Sequence, residues 1–131
     1  SDVCSSDLNV GGSIAVGVGQ NLPTCEVIAK VGLSSSQVLA SVKKVSKDLV
    51  VVSVGSNDPR NPELLRNVRA LRAKLDAKYV IWLLPYDRSA AGAVREVASS
   101  YRDYLLDLRN YPTNDGVHPK NYKELAKELT K

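Results

Sequence analysis

Val50-Val51-Val52-Ser53-Val54 is a nearly unbroken β-branched run with no polar face to offer to water. It reads as a strand buried on both sides. Burial on both sides requires helices above and below a parallel sheet. The rest of the chain supplies them, because apolar runs alternate with helical patterns. Strands are expected at Leu8–Gly12 (in degraded form), Glu26–Val31, Asp48–Val54, Tyr79–Leu84 and Tyr104–Leu108. Helices are expected at Ser34–Ser46, Pro62–Ala77, Ala90–Tyr101 and Asn121–Thr130. The second of these carries a proline in its first turn and Leu64, Leu65, Val68, Leu71 and Leu75 at helical spacing. Ser34 to Ser36 offer N-caps for the first. The expected fold is therefore α/β, a parallel sheet of about five strands covered by helices on both faces. Trp82, inside a strand, is expected in the core.

A chain of 131 residues makes one domain with one core region. No apolar run approaches the roughly 20 residues that span a bilayer, so a soluble domain without a transmembrane segment is expected. The formal charge of +4 prompts a search for a nucleic-acid footprint. The basic residues fall in scattered groups, Lys43-Lys44, Arg66-Arg69-Arg72-Lys74 and the C-terminal lysines, each on an amphipathic helix. Solvated helix faces account for them, and with no Phe and no basic-aromatic stripe nucleic acid is not an expected partner. Cys4 and Cys25 form neither a disulfide framework nor a zinc site, and Cys25, in an apolar segment, reads as a buried thiol. Ser1–Leu8 is too polar for a central strand and resembles translated adapter sequence. It reads as a non-native or disordered leader before a single domain spanning residues 9–131.

Three polar segments interrupt this pattern. Asp115-Gly116-Val117-His118-Pro119 contains the only histidine. An Asp three residues before a His, in a Gly/Pro-bounded loop, can orient the imidazole and steady its positive charge, as a general base requires. Read alone, the segment equally suits a capping histidine. Gly11-Gly12-Ser13 precedes an apolar stretch, which suits a serine at a strand-to-helix turn with its hydroxyl facing solvent, and read alone it suits a Gly-rich turn with a helix-capping Ser even better. The segment lacks the Lys-Ser/Thr ending of a P-loop and the G-x-G-x-x-G spacing of a dinucleotide site. Ala15 excludes the G-x-S-x-G elbow. Gly55-Ser56-Asn57-Asp58-Pro59 ends the valine strand at the carboxyl edge of the sheet, where open parallel sheets place ligands. Asn57 could aim an N–H at a developing oxyanion there, or simply reverse the chain. Leu84-Pro85-Tyr86-Asp87-Arg88 should flank the same edge, where Tyr86 or Arg88 could touch substrate or only connect strand to helix. Tyr111-Pro112-Thr113-Asn114 leads into the histidine loop and could shape a leaving-group pocket.

Taken together, these blocks resemble the SGNH (GDSL-like) hydrolase family. In that family the nucleophilic Ser lies in an early Gly-Asp-Ser block. An early Gly and the Asn of a Gly-x-Asn-Asp block form the oxyanion hole, and a late Asp-x-x-His block completes the triad. The resemblance runs over almost the whole chain and implies a three-layer α/β/α fold with a flavodoxin-like parallel sheet of about five strands. It implies Ser13 as nucleophile and Asp115 and His118 as its triad partners. It further implies the backbone N–H groups of Ser13 and Gly32, with the Asn57 side chain, as oxyanion donors. It also implies a serine esterase without metal or organic cofactor. The implied substrates are short acyl esters on small molecules or carbohydrates, such as O-acetyl groups, or lysophospholipid-type esters. A metal site at Asp115 and His118 finds no further His and no paired Cys to complete it. Gly12 stands where the family has Asp, and it supplies no acceptor to fix the turn. The alternative that follows is a catalytically impaired domain of this fold that binds a glycan or protein partner.

Overall fold

The structure, a computed structural model, describes residues 7–22 and 26–129. Its elements run β1 (Asp7–Gly11), α1 (Ser13–Gly19), β2 (Glu26–Ala29), α2 (Ser35–Ser41), β3 (Val45–Ser53), α3 (Leu64–Ala73), β4 (Leu75–Leu84), α4 (Arg88–Ser100), β5 (Tyr104–Asp107) and α5 (Tyr122–Leu129). The five strands form one sheet in the order β2-β1-β3-β4-β5. Every neighbouring pair is parallel. This is the flavodoxin-like order, and its direction reverses between β1 and β3.

The valine strand separates two cores. Val50, Val52 and Val54 face the side covered by α2, α3 and α4, where Val38, Val68, Leu71, Trp82 and Val94 are buried. Val51 faces the other side, against Ile14 and Val18 of α1 and Leu125 of α5. Each buried valine or leucine contributes roughly 1.5–3 kcal/mol. The strand therefore binds both helical layers through alternate side chains. Trp82 is fully buried, as its place in a strand predicts.

Element boundaries depart from the sequence pattern in several places. The expected helix Ser34–Ser46 stops at Ser41, and Val45 and Ser46 open β3. The expected helix Pro62–Ala77 covers only Leu64–Ala73, and Leu75 to Ala77 open β4. These segments pair with each other, Val45 with Leu75 and Lys47 with Ala77, so strand pairing overrides helical spacing there. The expected leader gives up its last two residues, since Asp7 and Leu8 belong to β1 and Leu8 is fully buried. Residues 1–6 of that leader, with Cys4 and Cys25, lie outside the described residues.

Two basic residues expected on solvated faces have structural partners instead. Lys74 donates to the carbonyls of Leu39 and Val42, closing the end of α2. Arg72 makes a two-pronged pair with Asp103, Nε to Oδ2 at 2.7 Å and Nη2 to Oδ1 at 3.0 Å, with side chains only 10% and 5% exposed. Trp82 Nε1 donates to the same carboxylate at 2.8 Å, and Arg72 Nη1 donates to the Leu75 carbonyl. The fork geometry and the extra donors satisfy a charge that would otherwise be costly to bury. Asp103→Ala leaves the guanidinium unpaired and should destabilise the domain by about 3–5 kcal/mol. Urea denaturation reads this directly, and a loss below about 1 kcal/mol would contradict it.

Candidate active site

The site forms at the carboxyl edge of the sheet, where β1 and β3 lie side by side. Gly11 pairs with Ser53 in register. A side chain at Gly11, whose φ is +149°, would run into the Ser53 carbonyl, so only glycine lets the two strands close here. Gly12 then turns the chain, its N–H donating to the Ser53 carbonyl at 3.3 Å, and Ser13 begins α1. No side chain caps this helix. Asn9 beneath it donates to the Ala15 carbonyl at 2.8 Å, and the Tyr122 ring of α5 packs directly on Gly17. These contacts hold the short serine helix in place of a cap.

Ser13 Oγ lies 2.8 Å from His118 Nε2, although 105 residues separate the two in the chain. His118 Nδ1 lies 2.7 Å from Asp115 Oδ2. The other carboxylate oxygen accepts the backbone N–H groups of Val117 and His118, each at 2.8 Å. Hydrogen bonds from the His118 ring and then from these amides hold the Asp115 carboxyl far below the usual carboxylate range. An ionised carboxylate only accepts, so Nδ1 carries the proton of a neutral imidazole and Nε2 is left to accept from the Ser13 hydroxyl. The line Asp115–His118–Ser13 thus has its donors and acceptors in consistent order. It sits near the surface, with His118 39% and Asp115 53% exposed.

Thr113 was not singled out by sequence, yet it closes this loop. Its hydroxyl donates to the His118 carbonyl at 2.7 Å and accepts the Gly116 N–H at 3.0 Å. Thr113 and Pro119 also pair as an antiparallel bridge, and the Lys120 N–H donates to the Pro112 carbonyl at 2.7 Å. The stretch Tyr111–Asn114 therefore pins the histidine loop and does not line the cleft beside it. A threonine two residues before the Asp was the available signal. Tyr86 and Tyr122 also feel this loop: burial, and then the Asp115 charge, push both phenols up.

Asn57 lies in the turn after β3 and donates from Nδ2 to the Leu33 carbonyl at 2.9 Å. Its second amide proton remains for another acceptor. Asn57, Gly12, Ser13 and Leu33 line one narrow cleft of about 10 Å³, room for about one water-sized group. Gly32 does not line that cleft; its neighbour Leu33 does. Gly32 occupies an exposed turn with φ +86°, and nothing lies within 4 Å of where a Cβ would sit. The structure brings Ser13, Asn57, Asp115 and His118 to one edge and leaves Gly32 facing open space.

Asp58, quoted in the Gly-Ser-Asn-Asp block but given no role there, ties the Asn57 turn to α2. It accepts the Ser35 N–H at 2.9 Å, the Ser35 hydroxyl at 2.6 Å and Asn61 Nδ2 at 3.0 Å. Asn67 Nδ2 donates back to the Ser35 hydroxyl, and Ser34 caps α2 with a capping box to Gln37. Arg88, weighed as a substrate contact, is committed to structure: it pairs with both oxygens of Asp107 and donates to the Pro85 and Tyr86 carbonyls. Among the described residues, no three His, Cys, Asp or Glu side chains cluster as metal ligands.

No protein-family model matches the sequence, and no curated protein matches it. Solved structures do match. The C-terminal catalytic domain of Streptococcus pneumoniae peptidoglycan O-acetyltransferase A, solved with a methylsulfonyl adduct, superposes with a TM-score of 0.62 at 15% identity. That match covers 98% of this chain and 92% of that one. Est24, a carbohydrate acetylesterase from Sinorhizobium meliloti, gives a TM-score of 0.61 at 14% identity, over 95% and 98%. At these identities the likeness concerns the fold.

Because Ser35 is buried, Asp58→Ala strands its N–H and hydroxyl without their acceptor. A stability loss of about 2 kcal/mol is expected in urea denaturation, with faster amide exchange at Ser35. An unchanged midpoint would show that the tether is solvent-screened.

Proposed function

We propose, from the premise that the chain has the SGNH (GDSL-like) hydrolase fold, that it is a serine ester hydrolase acting on short acyl esters. The observation that carries this reading is the hydrogen-bonded line from Asp115 through His118 to Ser13, at 2.7 and 2.8 Å. In the proposed reaction Ser13 Oγ attacks the acyl carbonyl as His118 Nε2 takes its proton. Asp115 holds the tautomer and steadies the imidazolium. The Ser13 N–H and the second Asn57 amide proton receive the oxyanion; loss of one such donor typically costs about 100- to 1,000-fold. Gly32, the third donor implied by resemblance, has weaker support, because it stands outside the Ser13 cleft. His118 then protonates the departing alcohol and deprotonates the water that releases the acyl group. No cofactor enters this scheme.

The narrow cleft at Ser13 has room for the acyl oxygen, and no extended acyl channel adjoins it among the described residues, which supports a short acyl group. By their descriptions one solved neighbour is a peptidoglycan O-acetyltransferase domain and the other a carbohydrate acetylesterase, and this supports an O-acetylated carbohydrate as the substrate class. No helix among the described residues is long and apolar enough to cross a membrane. The competing reading, a binding domain with impaired chemistry, draws on Gly12, which leaves the serine helix without a side-chain cap.

Purified protein should hydrolyse p-nitrophenyl acetate faster than the butyrate. Ser13→Ala and His118→Ala should abolish this turnover with folding intact by circular dichroism, and equal rates in all three would favour the binding domain. Asp115→Asn should lower turnover by about 10⁴-fold, because an amide N–H facing Nδ1 forces the wrong imidazole tautomer.

Gly12→Asp separates the two readings further. A Cβ there would stand 2.9 Å from Asn57 Nδ2 and push the oxyanion donor aside, while an Asp cap gains only a few tenths of a kcal/mol over Gly. The substitution should therefore lower turnover. A strong rise would mean that the missing carboxylate is what limits the chain.

A further inference from the structure

Beside the Ser13 cleft, and sharing Ser56 with it, lies a wider one of about 210 Å³. Pro59 walls it on one side, Pro85, Tyr86 and Asp87 on another, and Val117 of the histidine loop on the third. Its volume falls below the about 300–1,000 Å³ of clefts that enclose drug-sized ligands, so it suits a single ring and not an extended chain. Ser56, shared with the Ser13 cleft, and Gly116 and Val117 of the histidine loop set this cleft next to the reacting groups.

The walls are fixed before any ligand arrives. Arg88 holds the Pro85 and Tyr86 carbonyls, and the Tyr86 hydroxyl donates to the Tyr111 carbonyl at 3.0 Å. The Tyr86 face and two proline rings give flat apolar surface. Asp87 gives the charge: Oδ1 accepts the Ala90 N–H at 2.9 Å as the cap of α4, and Oδ2 makes no hydrogen bond among the described residues. A carboxylate oxygen beside flat apolar faces and the Ser56 hydroxyl matches a ring with C–H faces and a rim of hydroxyl donors.

Resting on the hydrolase reading, we propose that this cleft seats the leaving-alcohol portion of the substrate, a single neutral sugar ring, with Asp87 accepting one of its hydroxyls. Asp87 is then a specificity-determining residue, and the acyl carbonyl oxygen points to the narrow cleft at Ser13. Neither Ser13 chemistry nor the fold requires a carboxylate at this position, since Asn caps a helix as well as Asp does.

The test compares three acetates by proton release, a mono-O-acetylated methyl glucoside, ethyl acetate and acetylcholine, with p-nitrophenyl acetate reporting whether the hydrolytic groups work at all. The wild-type chain should prefer the acetylated glucoside to ethyl acetate by about tenfold or more in kcat/KM. Asp87→Asn keeps the helix cap and the melting temperature, and it should lower that ratio about tenfold, mostly through KM. Equal kcat/KM for the glucoside and ethyl acetate, or a ratio that Asp87→Asn leaves in place, overturns the sugar seat while the hydrolase reading stands. Preference for acetylcholine overturns it in favour of a cation against Asp87 and Tyr86. If the wild type and Ser13→Ala turn over p-nitrophenyl acetate equally, the hydrolase reading falls and the sugar seat falls with it.

Discussion

The close pairing of Gly11 with Ser53 is the constraint on which the rest of this site depends. It brings the ends of β1 and β3 together at the point where strand order reverses, and two loops from opposite directions must leave the sheet there. One becomes the serine helix and the other the Asn57 turn. A side chain at Gly11 would drive the strands apart through the Ser53 carbonyl, and the serine would move away from both its neighbours at once. The valine strand resists such separation, because alternate side chains of β3 are buried in cores on both faces. The requirement for glycine and the two-sided burial are thus two halves of one restraint.

The two polar arms of the site are held by different kinds of interaction. The histidine loop orders itself: Asp115 accepts from two amides and the imidazole within four residues, and Thr113 closes the same turn. Such a loop presents its imidazole in one orientation wherever the loop is docked. The Asn57 arm has no comparable internal order. Its position comes from elsewhere in the chain, through Asn57 to Leu33 and Asp58 to Ser35, so the start of α2 is a structural part of the site without supplying a reacting group.

This difference explains what could be read in the sequence. Local blocks were legible: the valine run, the Gly-Ser-Asn-Asp turn and the Asp-Gly-Val-His-Pro loop each carry their geometry in adjacent residues. The early halves of β3 and β4 were not. At Val45–Lys47 and Leu75–Ala77 the two strands pair with each other with Ser46 and Asp76 exposed, so no two-sided apolar run marks them. Leu75 continued the helical spacing of α3 and masked the change. Arg72 looked like one more surface base because its partner, Asp103, lies 31 residues away. Asp58 and Asp87 were hidden for the same reason: what makes each matter is a neighbour brought in by the fold. Gly32 was placed by resemblance alone, and its neighbour Leu33 lines the cleft.

The exposure of the site bears on which reaction it favours. His118 and Asp115 are 39% and 53% exposed, so solvent screens their charges more than in a closed site. The pair must then rely on hydrogen-bond geometry for its strength, which the three short bonds to Asp115 supply. On the proposed hydrolase reading, the same exposure leaves bulk water free to approach an acyl group on Ser13. Transfer to a second alcohol would require that alcohol to be held there more firmly than water can be displaced. On the proposed reading, the cleft beside Asp87 performs that task for the departing alcohol in the first half-reaction. On that reading, once the alcohol has left, water can enter its seat and reach the acyl group with His118 as the base.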